Sequence, residues 1–241
     1  MDYFYNAMIF HSLLRKVLTA TFLFVCGNMG LMAQTAIGLH GGVNFSKMDF
    51  TRNPDFRGVE IQLRQGFQFG VFYRLMPQKS TGIAFELNYS QQGWNEGVDT
   101  TATTRYQRQI DYITLPLLTH FNMGKDRFRV LIEIGPYVGY AMQSSEIIVN
   151  NNTGTAESLP YDYSEELDNR IDFGLIIGGG FEYHLGAVAF QGLARYGYGL
   201  GNIFQKRGDA AELSQNRVIT VMAGIVIPLR KTSATPRTDR P

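Results

Sequence analysis

The feature that most constrains this fold is an alternation of large apolar residues with small or polar ones, clearest between residues 171 and 183. The odd-numbered positions there are apolar apart from Gly179, and the even-numbered positions are small or charged apart from Ile176. Side chains of a strand alternate between its two faces, so this segment predicts a β-strand with one broad apolar face and one narrow polar face.

Seven further segments repeat the alternation, and the sequence therefore predicts eight strands. In chain order, the eight cover residues 35–46, 66–75, 82–91, 110–122, 127–142, 171–183, 187–198 and 217–229. The 26 glycines, 13 tyrosines and 17 phenylalanines, with a single cysteine, favour strands and turns over a helical bundle or a disulfide framework.

The connections between these segments fall into two classes. Three are short, at residues 76–81, 123–126 and 184–186, and four are long, polar and rich in turn residues, at 47–65, 92–109, 143–170 and 199–216. Short turns at one end and long loops at the other are typical of outer-membrane barrels, whose periplasmic turns are tight. The expected fold is an all-β, eight-stranded antiparallel transmembrane barrel with both barrel termini on the periplasmic side.

Charged residues within the strands share the small-residue parity. They are Arg74, Glu86, Arg129, Glu133, Asp172, Glu182 and Arg195. The interior of an eight-stranded barrel is just wide enough to be filled by side chains, which suits a face rich in glycine. An arginine on the lipid-facing side would cost roughly 2–4 kcal/mol near the bilayer midplane. We therefore predict that these seven residues form a charge network in a closed lumen.

Alternation alone leaves a second architecture open. A soluble or membrane-anchored periplasmic β-barrel would turn its apolar parity inward and bind an apolar ligand.

The N-terminus has the features of a secretory signal peptide over residues 1–33. Arg15 and Lys16 precede an apolar run at residues 17–25, and Ala33 provides a small residue before the expected cleavage point. An uncut membrane anchor is the alternative, but the run is short of the ~20 apolar residues of a span. Without residues 1–33 the chain has 20 basic and 20 acidic residues, a balance that gives no support to nucleic-acid binding.

Two polar regions are candidates for contacts with a protein partner. Residues 230–241 form a basic tail, expected to be either a disordered extension or a periplasmic docking segment contacting an acidic surface through Arg230 and Lys231. In the connection at residues 143–170, Tyr161 and Tyr163 are the candidate contacts. Its acidic residues lack the regular spacing of a calcium loop, so a solvated loop is expected.

No catalytic, cofactor or metal site is predicted. After residue 33 the histidines are His40, His120 and His184, and none lies in a long connection where a hydrolytic site at the external rim would need its base. The glycine run at residues 178–180 is not a phosphate loop because no helix is expected after it.

Several runs of residues resemble a known family. They are GGVNFS at 41–46, ELNYSQQGW at 86–94, IEIGPYVG at 132–139, DFG at 172–174 with EY at 182–183, and ARY at 194–196. These runs resemble the PorT-type outer-membrane β-barrels of Bacteroidota, and the resemblance covers nearly the whole chain after residue 33. Its motifs are barrel motifs rather than catalytic ones, and it implies an eight-stranded transmembrane barrel of the outer membrane that contacts lipid.

The founding member of that family is a component of type IX secretion, which exports proteases and surface proteins. The resemblance therefore implies an accessory role in that export, with protein partners in the secretion apparatus and no small-molecule substrate. A structural or adhesive barrel unrelated to secretion is the remaining alternative. One departure is that the last strand stops near Leu229 rather than on a terminal aromatic residue.

Overall fold

The computed structural model describes residues 34–51, 60–97, 104–125, 127–150, 153, 155–163, 168–204 and 213–229. The predicted signal peptide and the basic tail, including Arg230 and Lys231, lie outside these residues. The described chain contains ten strands: β1 (Gln34–Thr51), β2 (Glu60–Gln62), β3 (Arg64–Met76), β4 (Thr81–Gly97), β5 (Thr104–Lys125), β6 (Phe128–Asn150), β7 (Ala156–Pro160), β8 (Ile171–Leu185), β9 (Val188–Gly199) and β10 (Leu213–Pro228). None of the described residues form a helix long and apolar enough to cross a membrane.

Eight of the strands close into an antiparallel barrel. The ring runs β1–β3–β4–β5–β6–β8–β9–β10 and returns to β1, because β1 pairs with β10 on one side and β3 on the other. The eight predicted segments correspond to these eight strands, so the predicted fold class is confirmed. Ring closure leaves no open sheet edge in the barrel wall.

The apolar parity of each strand faces outward. On β8, Leu175 is 50% exposed, whereas Asp172 and Glu182 are 2% and 3% exposed. The same alternation of exposed apolar and buried residues runs through the barrel strands. An apolar surface of this extent is unstable in water and is what a membrane barrel presents to lipid. The alternative of a soluble barrel with an inward apolar face is therefore wrong.

Several strands continue beyond the predicted boundaries at the long-loop, external end. The predicted connection at residues 92–109 is largely strand, since β4 reaches Gly97 and β5 starts at Thr104. The predicted connection at 143–170 likewise contains the end of β6 and all of β7. Backbone pairing persists above the lipid, where outward residues such as Gln107 and Gln109 are polar and the hydrophobic alternation stops. Strands β2, β4, β5, β6 and β7 thus form an external sheet above the barrel rim.

One bulge separates the membrane part of β6 from its external part. Asp111 pairs with Gln143 but Tyr112 pairs with Ala141, so Met142 has no partner in the register. Below this bulge the inward residues of β6 are odd-numbered, and above it they are even-numbered, as Ser144 and Glu146 show by their inward contacts. An extra residue in one strand re-aims the side chains that follow it.

Candidate functional site

The barrel interior is centred on Arg195 of β9, which holds two carboxylates, one on β4 across the barrel and one on β6, two strands away. Its Nη1 and Nη2 donate to the two oxygens of Glu86 at 2.7 Å each, and its Nε donates to Glu133 at 2.9 Å. All three side chains are at most 6% exposed. Bidentate arginine–carboxylate pairs of this kind are among the stronger polar contacts in proteins, and they satisfy charges that would otherwise be costly to bury.

Each of these carboxylates also has a histidine beside it. His120 Nδ1 lies 2.9 Å from Glu133 Oε1. His40 Nε2 lies 2.7 Å from Asn88 Oδ1, and Asn88 donates in turn to Glu86 at 3.1 Å. The arginine centre is therefore enclosed by a polar shell drawn from β1, β4 and β5.

Glycines provide the space that these contacts occupy. Gly178 lies between Glu133 and Arg195 in the register of β6, β8 and β9, and a Cβ built on it would lie 2.6 Å from Arg195 Cγ. Gly70 lies in the same way between His40 and Asn88, and a Cβ built on it would overlap Asn88 Oδ1. In both cases a side chain crosses over a glycine to reach a partner two strands away.

A second ion pair lies nearer the short-turn end. Arg74 Nη1 donates to Glu182 Oε2 at 2.7 Å, and its Nη2 donates to Gln191 at 2.9 Å. The other oxygen of Glu182 lies 2.6 Å from His184 Nε2. Arg74 also lies over the Phe72 ring, 5.2 Å from its centroid. This end of the lumen is therefore filled by a paired arginine packed on an aromatic ring.

Two of the seven predicted lumenal charges stand apart from these centres. Asp172 is buried towards the external end, where it accepts hydrogen bonds from Tyr137 at 3.1 Å and Asn216 at 3.0 Å. Arg129 is half-buried at the short-turn end and is opposite Glu182 in the register, but the Glu182 carboxylate contacts Arg74 and His184 instead. The structure thus brings Arg74, Glu86, Glu133, Glu182 and Arg195 into two paired centres.

A small cavity of about 40 Å³ lies in the middle of the lumen and is lined by residues that include Arg195, Asn88 and Thr220. Apolar side chains fill other parts of the interior, with one cluster of Ala36, Phe72, Ala189 and Val226 and another of Leu131, Leu193 and Met222.

A cluster of buried apolar residues, which we call the mouth cluster, lies at the external mouth of the barrel. Its buried members are Met48, Trp94, Ile110, Tyr112, Ala141 and Ile203. Ile203, from the segment after β9, is 2% exposed and reaches across the mouth to pack with the β1, β4, β5 and β6 residues. The mouth cluster is an apolar core that lies within the external part of the molecule.

Arg108 of β5 ties the segments around the mouth cluster together. It is 3% exposed, its Nε donates to Ser144 at 3.1 Å, and its guanidinium lies 3.5 Å from the centroid of the Tyr161 ring. The Trp94 and Phe204 rings lie 5.6 and 5.5 Å from the same guanidinium. Such cation–π contacts contribute more when they are desolvated, as here.

The two tyrosines predicted as partner contacts both lie beside the mouth cluster. Tyr161 stacks on Arg108 and donates from its hydroxyl to Asp168 at 3.0 Å, while Tyr163 packs against the cluster and under Arg170. Partial burial raises the pKa of both hydroxyls. Asp168 in turn forms a backbone bridge with Phe204, which joins the segment after β7 to the segment after β9.

Sequence reasoning did not identify the mouth cluster because three of its members, Met48, Trp94 and Ile203, lie in segments assigned to loops, whereas Ile110, Tyr112 and Ala141 lie in predicted strands. A signal was present, since Tyr106, Arg108, Ile110 and Tyr112 recur at period two into β5. The described interior residues are held by apolar packing, charge pairing and hydrogen bonds. Among the described residues, no group of three or more His, Cys, Asp or Glu side chains is arranged to hold a metal ion.

Comparisons with known proteins agree with this architecture. A family model described as an outer membrane protein beta-barrel domain matches residues 32–205. No curated protein matches the sequence significantly.

Solved structures similar to this chain are also outer-membrane proteins. OprG from Pseudomonas aeruginosa is 13% identical with a TM-score of 0.46, and the match covers 84% of this chain and 99% of OprG. AlkL is 10% identical with a TM-score of 0.45, covering 83% of this chain and 92% of AlkL. Ail of Yersinia pestis is 12% identical with a TM-score of 0.39, covering 80% of this chain and 99% of Ail. Likenesses this distant carry no functional argument.

The match to the family model covers most of the chain, including seven of the eight barrel strands. The chain therefore belongs to the family of outer membrane β-barrel domain proteins, and it is an integral protein of the cell outer membrane.

Proposed function

We propose that this protein is a non-enzymatic, non-conducting barrel that serves as an accessory component of type IX protein secretion. The proposal that the barrel does not conduct ions rests on one observation, which is that side chains fill the lumen. Arg195 with its two glutamates occupies the middle, Arg74 with Glu182 occupies the short-turn end, and the mouth cluster lies at the external end. A secreted polypeptide has no route through such an interior, so exported proteins cross elsewhere.

The secretion role is supported by the resemblance of the sequence to PorT-type barrels. The runs that carry it include residues 86–94 and 132–139, and these contribute Glu86, Trp94 and Glu133 to the barrel interior. Export through a cleavable signal peptide at residues 1–33 and a periplasmic docking role for Arg230 and Lys231 belong to the same proposal. Tyr161 and Tyr163 are the external candidates for contact with a protein partner in the same proposal.

A second candidate is a structural or adhesive role at the cell surface. The observation that favours it is the external sheet, which continues β4, β5 and β6 above the rim and adds β2 and β7 to them. An ordered sheet in that position presents a fixed surface to whatever lies outside the membrane.

Conductance in planar bilayers tests the closed lumen. We expect no steady current from the purified barrel, because the paired charges fill the pore at two levels. A steady current of the size seen for open porins would contradict the proposal. Arg195→Ala with Glu86→Ala and Glu133→Ala empties the middle level, and a rise in brief openings in this variant would show that the assay detects loss of the plug.

Deletion of the gene tests the secretion role separately. We expect loss of extracellular protease activity and of surface-attached proteins, with normal outer-membrane levels of unrelated barrels. Unchanged secretion with altered cell adhesion would favour the surface role instead. Complementation with a variant lacking residues 230–241 then tests whether the basic tail takes part.

A further inference from the structure

One edge of strand β7 is not paired with any of the residues that the structure describes. It pairs with β6 along one side, and all five of its residues are exposed. No backbone hydrogen bond from another described residue reaches its other side. An edge strand of this kind carries unpaired N–H and C=O groups, which are a template for the addition of another strand.

The hydrogen bonds at either end of β7 show which backbone groups point outward. Thr155 accepts from Asn150 and Tyr161 donates to Ser144, so the odd-numbered residues direct their backbone towards β6. The even-numbered residues Ala156 and Ser158 therefore present both an N–H and a C=O to the outside. Pro160 presents a carbonyl alone because it lacks an N–H. The open edge thus accommodates a partner strand of about four or five residues.

Side chains along the edge define the chemistry of that partner. Glu157 pairs with Ile148 and Leu159 pairs with Glu146 in the β6–β7 register, so Glu157 and Leu159 project from the same face. Leu159 and Ile148 are 42% and 38% exposed and lie diagonally next to each other on that face. A strand added in antiparallel orientation would place an apolar residue beside Leu159 and, two residues later, a basic residue beside Glu157.

We infer that the outer edge of β7 binds an extended segment of another polypeptide, in antiparallel orientation, through the pattern apolar-x-basic. A second copy in the same membrane does not fit. Antiparallel pairing of two β7 strands needs a two-fold axis perpendicular to the sheet. Because the sheet continues the barrel wall, that axis lies in the membrane plane. Rotation about it would turn the second barrel upside down in the membrane. In the register centred on residue 157, two Glu157 carboxylates would also approach each other. The inference depends on the position of β7 outside the membrane and not on the proposed role in secretion.

The test measures binding of a blocked, labelled heptapeptide, Ser-Thr-Leu-Thr-Lys-Thr-Ser, to the full-length barrel in nanodiscs by fluorescence anisotropy. Ser158→Pro removes an outward N–H and leaves the bonds to β6 in place, with Ser158→Thr as the matched control. Glu157→Lys reverses the charge beside the peptide lysine. We expect each of Ser158→Pro and Glu157→Lys to weaken binding by about tenfold or more, and Ser158→Thr to leave it unchanged.

Peptide controls examine the pattern and the orientation. Replacement of the peptide lysine by glutamate, and reversal of the sequence to Ser-Thr-Lys-Thr-Leu-Thr-Ser, should each weaken binding. Heat-modifiable gel mobility verifies that every barrel variant is folded. Equal binding by the wild type and Ser158→Pro would overturn the inference, as would concentration-dependent dimers of the wild type that Ser158→Pro abolishes, since a second copy would then occupy the edge.

Discussion

Substitution of Gly178 by alanine tests whether the lumen is organised by side chains that cross over glycines. The added methyl group would lie 2.6 Å from Arg195 Cγ and 2.8 Å from the Ala194 carbonyl oxygen, so the Arg195 side chain must move. Arg195 reaches Glu133 by passing over this glycine, and the displacement therefore breaks the contact between Arg195 Nε and Glu133 Oε2, now 2.9 Å. Glu133 is 1% exposed and would keep His120 as its polar partner.

The expected loss of stability follows from these contacts. A hydrogen bond to a charged group is worth about 1.5–3 kcal/mol, and overpacking of a filled interior costs about 1–3 kcal/mol. Alanine also recovers about 0.4–1 kcal/mol by restricting the unfolded chain. We therefore expect Gly178→Ala to lower the free energy of unfolding by about 2–4 kcal/mol.

Urea titration of the barrel in lipid vesicles, followed by heat-modifiable gel mobility, measures this change. Gly197→Ala is the matched control, because Gly197 is also on the lumenal face and the nearest atoms to its added Cβ are 3.7 Å away. The control should be neutral or slightly stabilised. If Gly178→Ala unfolds at the same urea concentration as Gly197→Ala, the crossing of Arg195 over Gly178 does not contribute to stability and the reasoning fails.

Three further predictions concern the external part of the molecule. Arg108→Leu removes the guanidinium that packs on the Tyr161 ring, so we expect faster proteolysis of the external segments. The membrane barrel should keep its heat-modifiable mobility. Unchanged proteolysis would contradict the role of Arg108. Deletion of Met142 converts the two-against-one pairing at the bulge into regular pairing and should leave Glu146 on the inward face, so Glu146→Cys should react equally slowly with a membrane-impermeant maleimide with or without the deletion. Faster labelling in the deletion variant would argue against the assigned register. Because burial raises the pKa of Tyr161 and Tyr163, the folded external segments bind more protons than the unfolded ones above about pH 10, and stability there falls as pH rises. Proteolysis of these segments should therefore accelerate above that pH. The acceleration should be smaller in the double variant Tyr161→Phe/Tyr163→Phe. An identical dependence of the proteolysis rate on pH in the variant and the wild type would rule this explanation out.

The membrane part of the fold was predictable because lipid imposes the same rule on every strand. Residues such as Leu175 must face hydrocarbon and residues such as Asp172 must not, so the alternation in the sequence is a direct record of the two faces. The order of the strands around the barrel was predictable because eight strands joined in sequence by alternating short turns and long loops pair with their neighbours along the chain. The inward position of Arg195 followed from its parity, but its simultaneous pairing with Glu86 and Glu133 depends on distances across the lumen that sequence spacing does not contain.

The external part was not predictable by the same reasoning. Above the lipid both faces of a strand meet polar surroundings or other protein, so hydrophobic alternation no longer marks pairing, and residues such as Trp94 and Phe204 were assigned to loops. The bulge at Met142 added a second difficulty, since it exchanges the parity of β6 at that point. Glu146, which would lie outward by extrapolation from Glu133, instead accepts a hydrogen bond from Tyr106 inside.

The length of β5 and β6 sets the height at which the external sheet stands. The 23 residues of β6 extend about 75 Å along the strand, or roughly 55 Å along the membrane normal at a tilt near 40°. A bilayer with its headgroup layers is about 40–45 Å thick. The far end of the β5–β6 hairpin, where β7 is attached, therefore rises beyond the headgroups on one continuous pair of strands that contains a single bulge. Molecules approaching from outside would meet the β7 edge before they meet the lipid surface.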